Sequence, residues 1–268
     1  MAKTIRTVSL LPAFPFLTQL LFLLPIAAGL FGVLLPALGY LPDLGGDQFH
    51  FEVFRQLLEH PSLLNAVWLT LFSGIAATFI SFSLAILLAA MLSRASLSGN
   101  KNNKMASLFV IVRRGLIPLI AVPHAAIALG LAFLLAPSGW IVRWFSFLLM
   151  GWETPPEWVT VQDPFGLSLI LGLVLKETPY LLLMILAALP QIRAQEYIRI
   201  GQSLGYGNLR SWLKLVLPQV YPLIRLPVFA VLAFSLSVVD VALILGPSTP
   251  PTLSVLILRW IDNPDLSF

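Results

Sequence analysis

Five stretches of the sequence are long and apolar enough to cross a lipid bilayer as helices. A hydrocarbon core about 30 Å thick requires roughly 20 apolar residues in helical form. The stretches cover residues 16–39, 62–92, 115–136, 166–190 and 219–245. Since a helix satisfies its own backbone hydrogen bonds in lipid, such runs predict spanning helices. The predicted fold is therefore an all-α polytopic transmembrane helical bundle.

Composition excludes most soluble functions. The 268 residues are 58% hydrophobic and 10% charged, with a mean hydropathy of +0.92. A soluble domain usually carries about 25% charged residues, so too few polar side chains are present to cover a globule. The chain has no cysteine, which excludes disulfides and thiolate metal sites. We expect no metal site, no nucleic-acid partner, and a single transmembrane domain over residues 1–268.

Charged residues between the runs predict the orientation of the chain. Short loops on the cytoplasmic side of a membrane are enriched in lysine and arginine. One alternating set of segments carries most of the basic residues: Lys3, Arg6, Arg94, Lys101, Lys104, Arg113, Arg114, Arg193, Arg199, Arg210 and Lys214. The opposite set carries most of the acidic residues: Asp43, Asp47, Glu52, Glu59, Glu153, Glu157, Asp163, Asp262 and Asp265. The pattern predicts a cytoplasmic N-terminus.

Segment 137–164 is a long connection on the predicted outer side, rich in tryptophan and proline. Its indole rings are Trp140, Trp144, Trp152 and Trp158. Indole rings favour the headgroup layer, so we expect an outer interfacial segment in contact with membrane lipid. An aromatic belt is favoured over a ligand-binding cage.

The segment most informative about function lies between the fourth and fifth runs and reads EYIRIGQSLGYGNLRSWLKLVLP from Glu196 to Pro218. Its pattern predicts a helix, a glycine turn and a second short helix that Asn208 is suited to cap. In the second helix the apolar residues fall at i, i+3, i+4 and i+7. They are Leu209, Trp212, Leu213 and Val216. Such a helix is expected to lie flat at the membrane or in the groove of a partner.

This segment resembles the cytoplasmic loop of inner-membrane permeases of binding-protein-dependent ABC importers. Their loop has the pattern EAA, three residues, Gly, and a Leu-Pro ending after a spacing of twelve. Gly205 is followed at that spacing by Leu217 and Pro218. The first three letters depart from the pattern, since Arg199, Ile200 and Gly201 stand there and the nearest acid is Glu196.

The resemblance extends beyond the loop. The stretches Val122–His124, 128–132, Ser237–Asp240 and Ile244–Pro247 look like the branch of this type I fold that includes the fused ferric-iron and thiamine permeases. That branch implies a six-span core, with a sixth helix following Phe268, which fits an N-terminal half of a fusion or a truncated chain.

The resemblance implies that residues 196–217 form a coupling loop gripped by a cytoplasmic ABC ATPase dimer. The implied coupling residues are Glu196, Arg199, Gly201, Leu204, Gly205, Gly207, Trp212, Leu217 and Pro218. A periplasmic solute-binding protein and a second permease half or subunit are the other implied partners. The alternative interpretation is that Gly205 and Gly207 are only a helix C-cap followed by an interfacial helix.

Four ionisable residues fall at membrane depth: His124, Lys176, Glu177 and Asp240. Such residues normally face a bundle interior or a watered cavity, often in pairs. They are candidates for a translocation path, and Lys176 with Asp240 is a plausible cross-helix pair. The alternative is that they fix helix register and never meet substrate, which we favour for His124.

The predicted function is the permease subunit of an ATP-driven importer in the inner membrane, forming the path for a small solute. The sequence has no P-loop, no HExxH pair and no GxSxG elbow, so we expect no enzyme activity and no cofactor on this chain. ATP with Mg²⁺ is expected on the partner subunit. The alternatives are a proton-coupled secondary transporter and a membrane-embedded enzyme.

Overall fold

The computed structural model describes residues 13–40, 42, 48–97, 111, 114–116, 118–145, 157 and 159–261. Within these residues the fold is all-α and contains no strand, as predicted. The α-helices are α1 (Ala13–Ala37), α2 (Glu52–Glu59), α3 (Leu63–Leu97), α4 (His124–Leu135), α5 (Trp140–Phe145), α6 (Leu167–Ala188), α7 (Ala194–Ser203), α8 (Asn208–Ser211), α9 (Leu217–Ser237), α10 (Asp240–Leu245) and α11 (Leu253–Ile261). A 3₁₀ turn covers Leu189–Gln191 and a π-helical segment covers Trp212–Val216.

Five of the described helices are long and apolar enough to cross a membrane. They are Phe14–Ala37, Leu63–Ser93, His124–Trp144, Leu167–Gln191 and Asn208–Ser237. The sequence-based prediction of five apolar crossings is therefore confirmed. The first, second and fourth agree closely with the predicted bounds, whereas the third and fifth differ.

The third predicted run is interrupted in its middle. Residues 118–121 are helical, and a new helix, α4, begins at His124. Pro123 lies between the two with φ −58° and ψ 146°, an extended conformation that its ring permits while it lacks an N–H to continue the helix. Pro123 therefore divides the third predicted run into two helical pieces.

The fifth crossing is displaced toward the N-terminus relative to the prediction. It begins at Asn208, passes through the π-helical segment and ends at Ser237. At Val238 the backbone becomes extended, with ψ 133°, and α10 begins as a separate short helix at Asp240. The predicted run of 219–245 therefore joins two elements.

The chain divides into two compact units, residues 1–63 with 264–268 and residues 64–263. The described part of the first unit contains α1 and α2. On α2, Arg55 Nε donates to Glu59 Oε1 at 2.9 Å, and this contact raises the pKa of Arg55 above its ordinary value. Whether residues 1–268 act as one transmembrane domain stays a prediction.

The second unit has two apolar clusters at opposite ends of its long helices. The α7 end joins the later halves of α3 and α6 to α7 and the first part of α9, around Trp212. The α11 end joins the earlier halves of α3 and α6 to α4, α10 and α11, around Leu173 and Leu245. Between the two clusters lies a polar layer that contains Lys176 and Glu177, both buried.

Candidate coupling segment and intramembrane cavity

The turn between α7 and α8 is built around Gly205, whose φ is +81°. Tyr206 N donates to Gly201 O at 2.9 Å, and Gly205 N donates to Gln202 O at 3.0 Å. These two bonds form a Schellman motif, which places its C′ residue in the left-handed region that favours glycine. Among the described residues, chain neighbours aside, no atom lies within 4 Å of a Cβ built at Gly205. The conformation of the backbone, rather than crowding within the chain, therefore requires glycine here.

Gly201 requires glycine for a different reason: a side chain at this position would have no space. A Cβ at Gly201 would lie 2.4 Å from Ser211 Oγ and 2.6 Å from Ser211 Cβ. The absence of a side chain lets α7 approach α8 closely, so that the two helices form one packed unit. The close packing of α7 on α8 therefore explains why glycine stands at position 201, the third position of the EAA-like pattern.

The second short helix is not a free amphipathic helix. Trp212 and Val216 are fully buried against Ile198 and the end of α3. Trp212 Nε1 lies 3.4 Å from Ser93 Oγ, its acceptor. Leu209 and Leu213 remain exposed. The prediction that this apolar face lies flat at the membrane or in the groove of a partner is therefore wrong for Trp212 and Val216. They fill the protein's own core, because the helix is the first part of the fifth crossing.

The predicted capping role of Asn208 is also wrong. Gly207 occupies the N-cap position, and α8 begins at Asn208 itself. The Asn208 side chain instead reaches α3, where Nδ2 lies 3.4 Å from Ala90 O. Asn208 therefore helps attach the segment to the bundle.

The face of segment 196–218 that points away from the bundle carries most of the remaining predicted coupling residues. Glu196, Arg199, Leu204 and Gly207 are exposed, as is Pro218, and Leu217 is partly buried. The most exposed large apolar side chains are Leu204 at 65% and Ile200 at 52%. Arg193 Nη1 and Glu196 Oε2 form an exposed ion pair at 3.6 Å. The segment thus presents a mixed apolar and charged surface on a base fixed in the core.

The predicted pairing of Lys176 with Asp240 is wrong. Lys176 is instead bound by main-chain oxygens. Its ammonium donates to Leu119 O at 3.2 Å, to Ile120 O at 2.6 Å and to Val122 O. These carbonyls end the helical residues 118–121, where a cation is favoured. Because Pro123 interrupts that helix, Lys176 has three acceptors for its three protons.

Glu177 is bound by hydroxyl groups from two other helices. Ser81 Oγ on α3 donates to Oε2 at 3.2 Å, and Ser235 Oγ on α9 donates to Oε1. Thr78 Oγ1 lies 3.4 Å from Ser235 Oγ. The carboxyl group therefore links α3, α6 and α9 in the polar layer.

A cavity of about 240 Å³ adjoins this layer and is lined by Ile120, His124, Lys176, Glu177, Tyr180 and three residues of α9. The His124 ring contacts the Phe234 ring, with centroids 4.5 Å apart. Asp240 does not line the cavity; it is exposed in the first turn of α10. Three of the four predicted intramembrane residues thus line one cavity, and Asp240 lies outside it, although its charge is close enough to His124 to interact electrostatically.

Several residues of this region were not singled out from the sequence. Ser81, Ser235 and Thr78 are hydroxyl residues inside apolar helices, and Tyr180 follows Glu177 by three positions. A hydroxyl group in a spanning helix usually bonds its own backbone, so its type alone does not predict a partner. Only for Tyr180 did the sequence offer a signal: it lies three positions after Glu177, and residues at i and i+3 share a helix face.

The middle of the predicted outer segment 137–164, including Trp152 and Trp158, lies outside the described residues. Trp140 and Trp144 are described; both are exposed, and their rings stack with centroids 6.4 Å apart. Their interfacial position stays a prediction.

The described structure defines an all-α protein of the polytopic membrane class. At one end of its bundle two short helices, α7 and α8, pack closely across the turn at Gly205. The chain is similar to the inner membrane ABC transporter permease protein YnjC of Escherichia coli (strain K12), with 33% identity over 255 residues. The match covers 95% of this chain and 45% of that protein, so the chain spans a little under half the length of this relative. No family model matches the chain.

Proposed function

We propose that this chain is a permease subunit or half-subunit of an ATP-driven ABC importer, which moves a small solute across the inner membrane. The observation that carries the proposal is the similarity to an ABC transporter permease over 95% of the chain. A match of that extent includes spans and connections together, rather than a single motif. The finer assignment to the type I fold and to the ferric-iron and thiamine branch is part of the same proposal.

The α7–α8 segment is the part that engages the ATPase. Its inner face is anchored by Ile198, Trp212 and Val216, all fully buried. Its outer face offers Ile200 and Leu204 to a partner, beside the charges of Glu196 and Arg199. Exposed apolar groups rimmed by charge suit a protein interface.

A continuous helix transmits movement from this segment to the cavity. Helical residues run from Asn208 to Ser237 through the π-helical segment, with Leu217 and Pro218 inside the run. The same helix lines the cavity with Ala230, Val231 and Phe234. A displacement of α7 and α8 by a closing ATPase dimer therefore moves one wall of the path.

The remaining parts of the transporter lie on other chains. ATP and Mg²⁺ bind the ATPase subunits, and this chain hydrolyses nothing. A periplasmic solute-binding protein delivers the solute to the connections near residues 40–60, 137–164 and 246–268. A second permease half or subunit completes the path, and the N-terminus is cytoplasmic.

Gly205→Val tests the coupling role, because valine resists a φ of +81°. In the assembled transporter we expect solute uptake to fall at least about tenfold and ATP hydrolysis to lose its response to solute, while membrane insertion stays normal. Gly130→Val is the matched control, since Gly130 lies in α4 with open space around it and no left-handed φ.

Wild-type uptake by the Gly205→Val chain would refute the coupling role. The energy source is tested separately: uptake should collapse when ATP is depleted and survive an uncoupler. Uptake that an uncoupler alone abolishes would support a proton-coupled secondary transporter instead.

A further inference from the structure

The charged groups at the cavity are already bound within the protein. The three protons of Lys176 Nζ are matched by the carbonyls of Leu119, Ile120 and Val122. Both oxygens of Glu177 accept from serine hydroxyls. Lys176 therefore has no proton left for an anionic ligand, and the charge of Glu177 is already stabilised by a hydroxyl donor on each oxygen, which weakens its attraction for a cationic one.

Two polar side chains at the cavity remain available. Within the part of the chain that the structure describes, neither the imidazole of His124 nor the hydroxyl of Tyr180 has a hydrogen-bond partner. Neither group is among the buried unpaired polar atoms, so both reach open space, and both line the cavity. Each can donate or accept a hydrogen bond without carrying a charge.

The other walls of the cavity are apolar or aromatic. Ile120, Ala230 and Val231 supply aliphatic surface, and Phe234 contacts the His124 ring. Aromatic rings prefer offset or edge contacts with other rings at 4.5–7 Å between centroids. A volume of about 240 Å³ is below the range usual for drug-sized ligands, and it suits a small ring system.

We propose that this cavity binds a small, uncharged aromatic or heteroaromatic solute, held by hydrogen bonds from His124 and Tyr180 and by ring contact with Phe234. The proposal rests on the proposed function insofar as the bound solute is the transported one. Lys176 and Glu177 then act as positioning residues: they hold the interrupted third crossing and the three-helix polar layer in place.

The test uses the chain of 268 residues, whose sequence contains no cysteine. Ala230→Cys places a thiol in the cavity wall, and its rate of reaction with the uncharged 2-hydroxyethyl methanethiosulfonate is measured. Benzamide, benzoate and benzamidinium, which share one shape and differ in charge, are the competing probes. Ala233→Cys, on the same helix and exposed but not lining the cavity, is the matched control.

We expect benzamide to slow the labelling of Ala230→Cys and to leave Ala233→Cys unaffected. Benzoate and benzamidinium should need at least about tenfold higher concentrations for half-protection, which corresponds to about 1.4 kcal/mol. Adding His124→Phe or Tyr180→Phe should raise the half-protecting concentration of benzamide about fivefold, with the melting temperature measured to verify folding.

Three results would overturn the proposal: protection by either ion equal to that by benzamide, no protection by any probe, or benzamide protection unchanged in both phenylalanine variants. The measurement needs neither ATPase nor solute-binding protein. Its failure therefore leaves the coupling experiment with Gly205→Val untouched, and the two proposals fail separately.

Discussion

The two ends of the second unit each have an apolar cluster, and they differ in the hydrogen bonds that accompany it. At the α7 end, Asn208 Nδ2 donates to Ala90 O and Trp212 Nε1 donates to Ser93 Oγ, both on α3, and both hydrogen bonds are 3.4 Å long. The attachment to α3 therefore depends on the buried ring of Trp212. At the α11 end, Asp163 Oδ2 and Oδ1 accept from Leu167 N and Ser168 N at 2.8 Å. Ser168 Oγ also lies 2.7 Å from Leu245 O.

This difference shows how one bundle can be fixed at one end and adjustable at the other. Hydrogen bonds are directional and weaken steeply with distance or angle, so the α11 end has one favoured arrangement. Apolar burial is non-directional and depends on area, so α7 and α8 can shift as a unit without losing it. An end that shifts as a unit is suited to transmit the movement of a partner.

The largest expected effect comes from removing the packing at the α7 end. Trp212→Ala should lower the free energy of unfolding by about 3–5 kcal/mol, since a fully buried ring leaves a cavity. Thermal unfolding of the purified protein, with protease cleavage near residues 194–212, measures the loss. Trp140→Ala, at a 67% exposed ring, is the control and should change the melting temperature little; an equal loss in both would contradict the comparison.

A smaller effect is expected from separating α7 and α8. Gly201→Ala forces a Cβ to within 2.6 Å of Ser211 Cβ and should cost about 1–3 kcal/mol by overpacking. Adding Ser211→Gly should recover part of that loss in the same unfolding measurement. If the double variant is no more stable than Gly201→Ala, the close approach is not the reason for glycine at this position.

The smallest of the three effects is expected at the α11 end. Asp163→Ala removes the acceptor for the first amides of α6 and should cost about 0.5–2 kcal/mol, as loss of a helix cap does. Hydrogen exchange of the Leu167 and Ser168 amides should accelerate, and Asp163→Asn should retain part of the protection. If Asp163→Ala lowers the free energy of unfolding by more than Trp212→Ala does, the proposed difference between the two ends is contradicted.

The sequence predicted the elements whose signal is a long apolar run. All five crossings were predicted, with close bounds for the first, second and fourth. The glycine turn at Gly205 between two helices was predicted as well. These features depend on neighbours along the chain, which a sequence displays directly.

The features that were mispredicted depend on residues distant in sequence. Trp212 fits an amphipathic pattern, but whether it faces solvent or the end of α3 depends on tertiary packing. Lys176 finds its acceptors only because the third crossing breaks at Pro123, some fifty residues away along the chain. The pairing with Asp240 assumed an unbroken fifth helix, and the extended backbone at Val238 separates Asp240 from it.

Cross-linking from the two ends of the bundle to the ATPase subunit tests the central claim most directly. Leu204→Cys at the α7 end and Phe165→Cys at the α11 end place single thiols at side chains exposed to 65% and 71%. In the assembled transporter, a short thiol cross-linker should join Leu204→Cys to the ATPase subunit and leave Phe165→Cys unlinked. Cross-linking from Phe165→Cys, or from neither position, would contradict the account.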